Sequence, residues 1–199
     1  VEAQRWVIVV PVKAALVGKT RLGADVELVR AISLDTIEAA ARAARVEVVL
    51  VPTSDAGLGT VLGVHENVRV LAEDEPRGIG AAIRHALADV GVERPRAVLL
   101  GDLPALDPDD VDAALALAAG EARAFVADEE GTGTSLVTAA AGVELVAEFG
   151  ADSAARHREL GLVELPIASG STLRRDVDTP EQLAAAAVLG LGPRTRALL

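Results

Sequence analysis

The stretch AVLLGDLPALDP, Ala97 to Pro108, decides how the rest of the chain is read. Its four leading apolar residues, Ala97 to Leu100, are too few for a helix and suit a strand buried on both faces of a parallel sheet. Gly101 ends the run, so Asp102 arrives at the strand's carboxyl end. Ligands of open α/β sheets collect along that edge, where a carboxylate can face a metal-bound phosphate. A plainer reading stays open beside it, because Asp after Gly is also common in turns. Asp107-Pro108 predicts a helix start, with Asp107 as N-cap and Pro108 in the first helical position.

Working outward, Trp6 to Val12 (WVIVVPV), Val46 to Val51 and Val68 to Leu71 read as further buried strands. Helical patterns lie between them, from about 25 to 45, 79 to 90 and 108 to 119. Strands alternating with helices predict right-handed βαβ units and a mostly parallel sheet. The rhythm then changes. Ala124 to Ala127 is a strand, DEEGTGTSLVTA a Gly/Thr-rich turn entering another, and a short helix is expected over about Asp152 to Leu160. A strand at Leu162 to Leu165 follows, and PIASGSTLRRDVDTPEQL reads as a loop ending in a strand. Thr179, Pro180 and Glu181 then open a helix that runs to about Leu189. GLGPRTRALL is expected to be a tail. Neither repeats nor linkers divide the chain, which predicts one domain over 1–199.

With 199 residues, 51% of them apolar, the chain can bury a sizeable core. No apolar run reaches the roughly 18 residues a membrane span needs, and no signal peptide is visible at the start. A soluble, cytoplasmic protein is expected. Cysteine is absent, and His65, His85 and His157 are too scattered for a zinc cluster. A net charge of -11 and a pI near 4.7 argue against nucleic-acid or anionic-membrane partners. Trp6, Phe125 and Phe149, the only aromatic residues, are too few for a base-stacking platform. An anionic ligand would therefore need a few local cations or metal ions. Lys13 and Lys19 are the only lysines, set against seventeen arginines, and both fall in the loop after the first strand.

That loop is not a P-loop, because Lys13 stands where G-x-x-x-x-G-K-[ST] requires its first glycine. It does space Lys13, Lys19 and Arg21 to converge on a polyanion at the same sheet edge as Asp102. Gly57-x-Gly59 is not a dinucleotide fingerprint either, since Leu62 replaces the third glycine. Asp176-Val177-Asp178 is read two ways: alternation along a strand would turn both carboxylates toward Asp102 and a metal ion, whereas a capping role near Thr179 would leave them solvated. GTGTSL (131–136) and FGADSAARH (149–157) offer backbone N–H groups and hydroxyls for an anion, or serve only as a turn and a cap. His157 and Arg156 lie one turn further on and could contact the same anion, though surface placement is expected.

PVKAALVGKTRL, EPRGIGAAIRHAL, GDLPAL, GTGTSL, FGADSAARH and DVDTPEQL, in that order, resemble the phospholactate/phosphoenolpyruvate guanylyltransferases (the CofC/FbiD family). The resemblance implies a three-layer α/β/α sandwich of MobA-like, nucleotide-diphospho-sugar transferase type. It also implies an activity in coenzyme F420 biosynthesis, in which a phosphorylated three-carbon acid attacks the α-phosphorus of GTP and pyrophosphate leaves. By motif, Asp102 and Asp178 would hold Mg²⁺, with Asp176 a competing choice, and Thr134, Gly150 and Ser153 would bind the acceptor. Lys13, Lys19 and Arg21 would hold the triphosphate, Gly78 and Gly80 would line the nucleotide, and Asp102, Lys13 and Lys19 form the catalytic set. One departure is Gly80, which replaces the asparagine of the family's G-L-N-A-A pattern. Arginine-rich residue usage looks actinobacterial, and the resemblance implies phosphoenolpyruvate rather than 2-phospho-L-lactate for that branch of the family. A sugar-phosphate or molybdopterin nucleotidyltransferase, a non-catalytic nucleotide-binding module and a homodimer all stay open.

Overall fold

Trp6, Ile8 and Val10 alternate with Val7 and Val9 along the first strand, and both sets are buried, so helices must cover the sheet on two sides. The computed structural model describes residues 4–13, 26–73, 78–88 and 90–199. In chain order these form β1 (Trp6–Val9), α1 (Val26–Arg42), β2 (Val46–Thr53), α2 (Ala56–Leu62), β3 (Val68–Ala72) and α3 (Ile79–Leu87). Then come β4 (Arg96–Leu99), α4 (Pro108–Ala118), β5 (Arg123–Ala127), β6 (Thr134–Ala139), α5 (Ser153–Glu159), β7 (Val163–Glu164), α6 (Pro180–Leu189) and α7 (Pro193–Arg196).

The strands make one seven-stranded sheet in the order β3-β2-β1-β4-β6-β5-β7. β1 pairs in parallel with β2 and β4, β2 with β3, and β5 with β7. β6 alone among the described strands is reversed, pairing antiparallel with both β4 and β5. Leu34 and Ile37 of α1, Leu58 of α2 and Leu115 of α4 pack with Trp6, Ile8 and Val10 on one face. Ile83 and Ala86 of α3 cover Val7, Val9 and Val98 on the other. The result is the expected α/β/α sandwich with a mostly parallel mixed sheet. Burial of each large apolar side chain contributes about 1.5–3 kcal/mol, which is why both faces are closed.

The chain leaves β1 for β2 and β3 on one side and reaches β4 on the other. The carboxyl ends of β1 and β4 therefore flank a topological switch point, where the crevice of such a sheet opens. A Cβ on Gly101 would lie 3.3 Å from Val12 Cγ2 and 3.5 Å from the Pro11 carbonyl oxygen. The turns after β1 and β4 are thus pressed together, with Asp102 following one and Lys13 the other.

Two expectations need correction. The segment before Thr179 is not a strand: Thr172–Arg174 is a 3-10 turn, held by hydrogen bonds from Ser171 Oγ (2.9 Å) and the Thr172 N–H (2.7 Å) to Asp110 of α4. The final stretch is not a loose tail. Buried Asp35 of α1 accepts the N–H groups of Arg194 (3.1 Å) and Thr195 (2.7 Å), which caps α7 across the whole length of the chain. The other boundaries fall close to expectation, including Asp107 capping α4 through the Asp109 N–H (2.9 Å) and a full capping box between Thr179 and Gln182. Among the described residues, no helix is long and apolar enough to cross a membrane.

Candidate active site

A hydrogen bond from the Val177 N–H to the Asp102 carbonyl (3.0 Å) brings the DVD segment onto the turn after β4. Val177 is fully buried, packed with Ile32, Ala105 and Leu183, and so anchors its two acidic neighbours at the site. Asp176 is half-buried, whereas Asp178 is exposed and its backbone N–H donates to Gln182 Oε1 (2.8 Å).

A second acidic group comes from the end of β5. Asp128 is buried, and its carboxylate accepts the N–H groups of Thr132 (2.9 Å) and Gly133 (2.7 Å). Arg174 straps this turn to the 3-10 segment, donating through Nη2 to the Asp128 carbonyl at 2.8 Å and through Nη1 to the Ile167 carbonyl at 3.0 Å. Carboxylate oxygens of Asp128, Glu130 and Asp176 all lie within 4.8 Å of one another, close enough to share a cation. Asp128 and Glu130 were not singled out from sequence. The available signal was that Asp128 follows a buried strand as Asp102 does.

The cluster is electrostatically frustrated. Burial, followed by the charges of Asp102, Asp128, Asp178 and Glu130, pushes the Asp176 carboxyl up to about 7. Its Oδ1 is buried with no hydrogen-bond partner among the described residues. A buried acceptor left unsatisfied beside several carboxylates costs stability unless something positive joins it. Oxygen-only donors of this kind suit a hard divalent cation, so the residues present fit a metal ion.

Thr134 lies on one segment, and Gly150 and Ser153 on another, that are joined beside the Asp128 turn. Thr134 opens β6 and Ser153 opens α5, both buried, and the Ala154 N–H donates to the Thr132 carbonyl (3.1 Å) to join the two segments. Gly150 has φ +116° and Asp152 φ +54°, the latter being the one positive-φ residue other than glycine among those described. Backbone held in that region is stabilised by its surroundings. Here Arg156 supplies the support, gathering the carbonyls of Glu148, Phe149 and Ala151 with one guanidinium. His157 is not on the surface as expected: it is fully buried between Phe125 and Phe149. Its Nδ1 lies 2.9 Å from Thr134 Oγ1, and its Nε2 accepts the Glu148 N–H at 3.0 Å.

Of the candidate cations, Lys13 is exposed just beyond β1, while Lys19 and Arg21 lie outside the described residues. Gly78 caps α3 with φ +90°. Gly80 lies in the first turn of α3, where an added Cβ would approach Arg84 Nη1 only to 3.5 Å, an ordinary contact.

Comparison with known proteins agrees with this fold. Residues 24–162 match the MobA-like NTP transferase domain family. The phosphoenolpyruvate guanylyltransferase of Streptomyces coelicolor is 42% identical over 203 residues, covering 98% of this chain and 95% of its own. That of Thermomonospora curvata is also 42% identical, over 97% of this chain and 88% of its own. Among solved structures, a nucleotidyl transferase from Methanothermobacter thermautotroptrophicus superimposes with a TM-score of 0.64 at 15% identity, covering 95% and 98% of the two chains, which speaks to the fold alone. With its strand order, its acidic edge and these full-length relatives taken together, the chain belongs to the MobA-like NTP transferases, in the phosphoenolpyruvate guanylyltransferase family.

Proposed function

We propose that this chain is a single-domain guanylyltransferase that joins GTP to phosphoenolpyruvate, with 2-phospho-L-lactate as the alternative acceptor, and that its product enters coenzyme F420 assembly in the cytoplasm. A phosphate oxygen of the acceptor bonds to the α-phosphorus of GTP. The bond from that phosphorus to the bridging oxygen breaks, and pyrophosphate leaves with the electron pair. The acceptor phosphate is already anionic at neutral pH, so no side chain need act as a base, and positioning with charge compensation carries most of the barrier.

One observation carries the reading: Asp128 faces Asp176 through its carboxylate and, with the same oxygens, holds the turn that leads into Thr134. The metal-holding cluster and the proposed acceptor pocket are therefore one continuous structure. Asp102, Asp176 and Asp128, with Glu130 or Asp178 completing the set, would hold Mg²⁺, which when bound supplies charge neutralisation between two mutually repelling phosphoryl groups. Lys13, Lys19 and Arg21 take the triphosphate, and Gly78 and Gly80 lie against the nucleotide. Asp102, Lys13 and Lys19 remain the catalytic set, and Thr134, Gly150 and Ser153 bind the acceptor.

Pyrophosphate release tests this directly. GTP and Mg²⁺ are mixed with phosphoenolpyruvate, 2-phospho-L-lactate, 3-phosphoglycerate or a sugar 1-phosphate, one at a time. Release with phosphoenolpyruvate is expected. Release only with the sugar phosphate, or with no acceptor, overturns the proposal.

A further inference from the structure

His157 has no place in the reaction above, yet it is a titratable side chain buried completely in the wall beside the proposed acceptor pocket. Both of its ring nitrogens are committed, Nε2 to the Glu148 N–H at 3.0 Å and Nδ1 to Thr134 Oγ1 at 2.9 Å. These two bonds are not equivalent. A peptide N–H can only donate, so Nε2 must accept and carries no proton. In a neutral imidazole the proton then sits on Nδ1, and Thr134 Oγ1 must be the acceptor of that bond.

The consequence falls on the threonine. With one lone pair taken by Nδ1–H, its hydroxyl proton is free to point at another acceptor. The opposite tautomer would draw that proton into the ring and leave oxygen lone pairs facing any incoming anion. We propose that His157 is a positioning residue that, set by the Glu148 peptide, fixes the Thr134 hydroxyl as a hydrogen-bond donor for an anionic oxygen of the acceptor acid. Burial, reinforced by the charge of Arg156, holds the imidazole down to about 4, so it stays neutral and the arrangement persists through the physiological range. The aromatic neighbours Phe125 and Phe149, with ring centroids at 5.4 and 6.0 Å, exclude water that could supply a competing partner.

This inference rests on the reading that Thr134 contacts the acceptor, and the tests separate the two. Long-range ¹H–¹⁵N spectra of the free wild-type protein report the tautomer without any turnover: a protonated Nδ1 is expected, and a protonated Nε2 overturns the inference whatever the enzyme does. In steady-state kinetics, H157N places its amide N–H at the Nδ1 position, whereas H157Q places its amide at the Nε2 position, where its oxygen accepts the Glu148 N–H. H157Q should raise the acceptor KM on the order of tenfold, with the KM for GTP unchanged, and H157N should recover most of that loss. T134V should raise the same KM, and T134V with H157Q should be no worse than T134V alone, because the histidine acts only through that hydroxyl. Equal losses in H157N and H157Q, or additive losses in the double variant, reduce His157 to a packing role and overturn the inference. An unaltered acceptor KM in T134V instead overturns the assignment of Thr134 to the acceptor.

Discussion

The Val177 N–H reaches the carbonyl of Asp102 at 3.0 Å, so two segments more than seventy positions apart in sequence are tied by backbone before any side chain is considered. Substituting one carboxylate should therefore leave the scaffold in place. Asp102→Asn is expected to keep the wild-type unfolding transition and to cut turnover by two orders of magnitude or more, on the order of 3 kcal/mol in the barrier. Circular dichroism together with the pyrophosphate assay checks both halves.

Asp176 gives the site a pH signature. Its carboxyl is raised to about 7 by burial and then by its acidic neighbours, so the folded protein holds that proton more tightly than the unfolded chain. The contribution is intact at low pH and is lost as pH climbs from the ordinary carboxylate range through about 7. In chelator, the Tm of the wild type should fall relative to that of Asp176→Asn across this window. Parallel Tm profiles for the two proteins would contradict it.

A divalent ion should reverse that trend. Cation and proton compete for the same cluster, so Mg²⁺ should raise Tm more at about pH 8 than at about pH 5, and Asp176→Asn should lose most of the increment. Chelator should abolish pyrophosphate release, and added Mg²⁺ should restore it.

Gly133→Ala tests the link between the cluster and the turn that leads into Thr134. The added Cβ would lie 2.3 Å from Oδ2 of the Asp128 carboxylate, whose two oxygens each accept one backbone N–H. The carboxylate must give up at least one of those bonds, costing about 1–3 kcal/mol. Chemical denaturation should register that loss, and turnover should fall with it.

Gly192→Ala probes the fold instead. Its Cβ would come 2.3 Å from Asp35 Cγ and displace the carboxylate that caps α7. A loss of about 1–3 kcal/mol is expected, lowering Tm by about 2–4 °C for each kcal/mol. Activity assayed well below the transition should fall far less than stability.

Sequence disclosed Asp102 because an uninterrupted apolar run followed by glycine marks a strand end without help from other residues. The same logic applied to Ala124–Ala127 would have found Asp128, but the DEEGTG composition looks like a solvent turn, and nothing local says that its carboxylate folds back on Gly133. The alternation expected for Asp176 and Asp178 assumed a paired strand. The segment is instead held at Val177, which leaves one carboxylate half-buried and the other exposed. α7 is too short to show a period, and its cap comes from Asp35, far away in the chain. Burial of His157 likewise depends on Phe125 and Phe149, which local patterning on α5 cannot report.

The single reversed strand, β6, delivers its beginning to the rim where its neighbours β4 and β5 deliver their ends. One hairpin thus presents Asp128 as it leaves the sheet and Thr134 as it re-enters, while Lys13, Gly78 and Gly80 belong to the parallel half. On the proposed assignments, the two substrates are served by different wiring. A lineage could then exchange the hairpin, and with it the proposed acid-binding residues, without disturbing the crossovers of the parallel half.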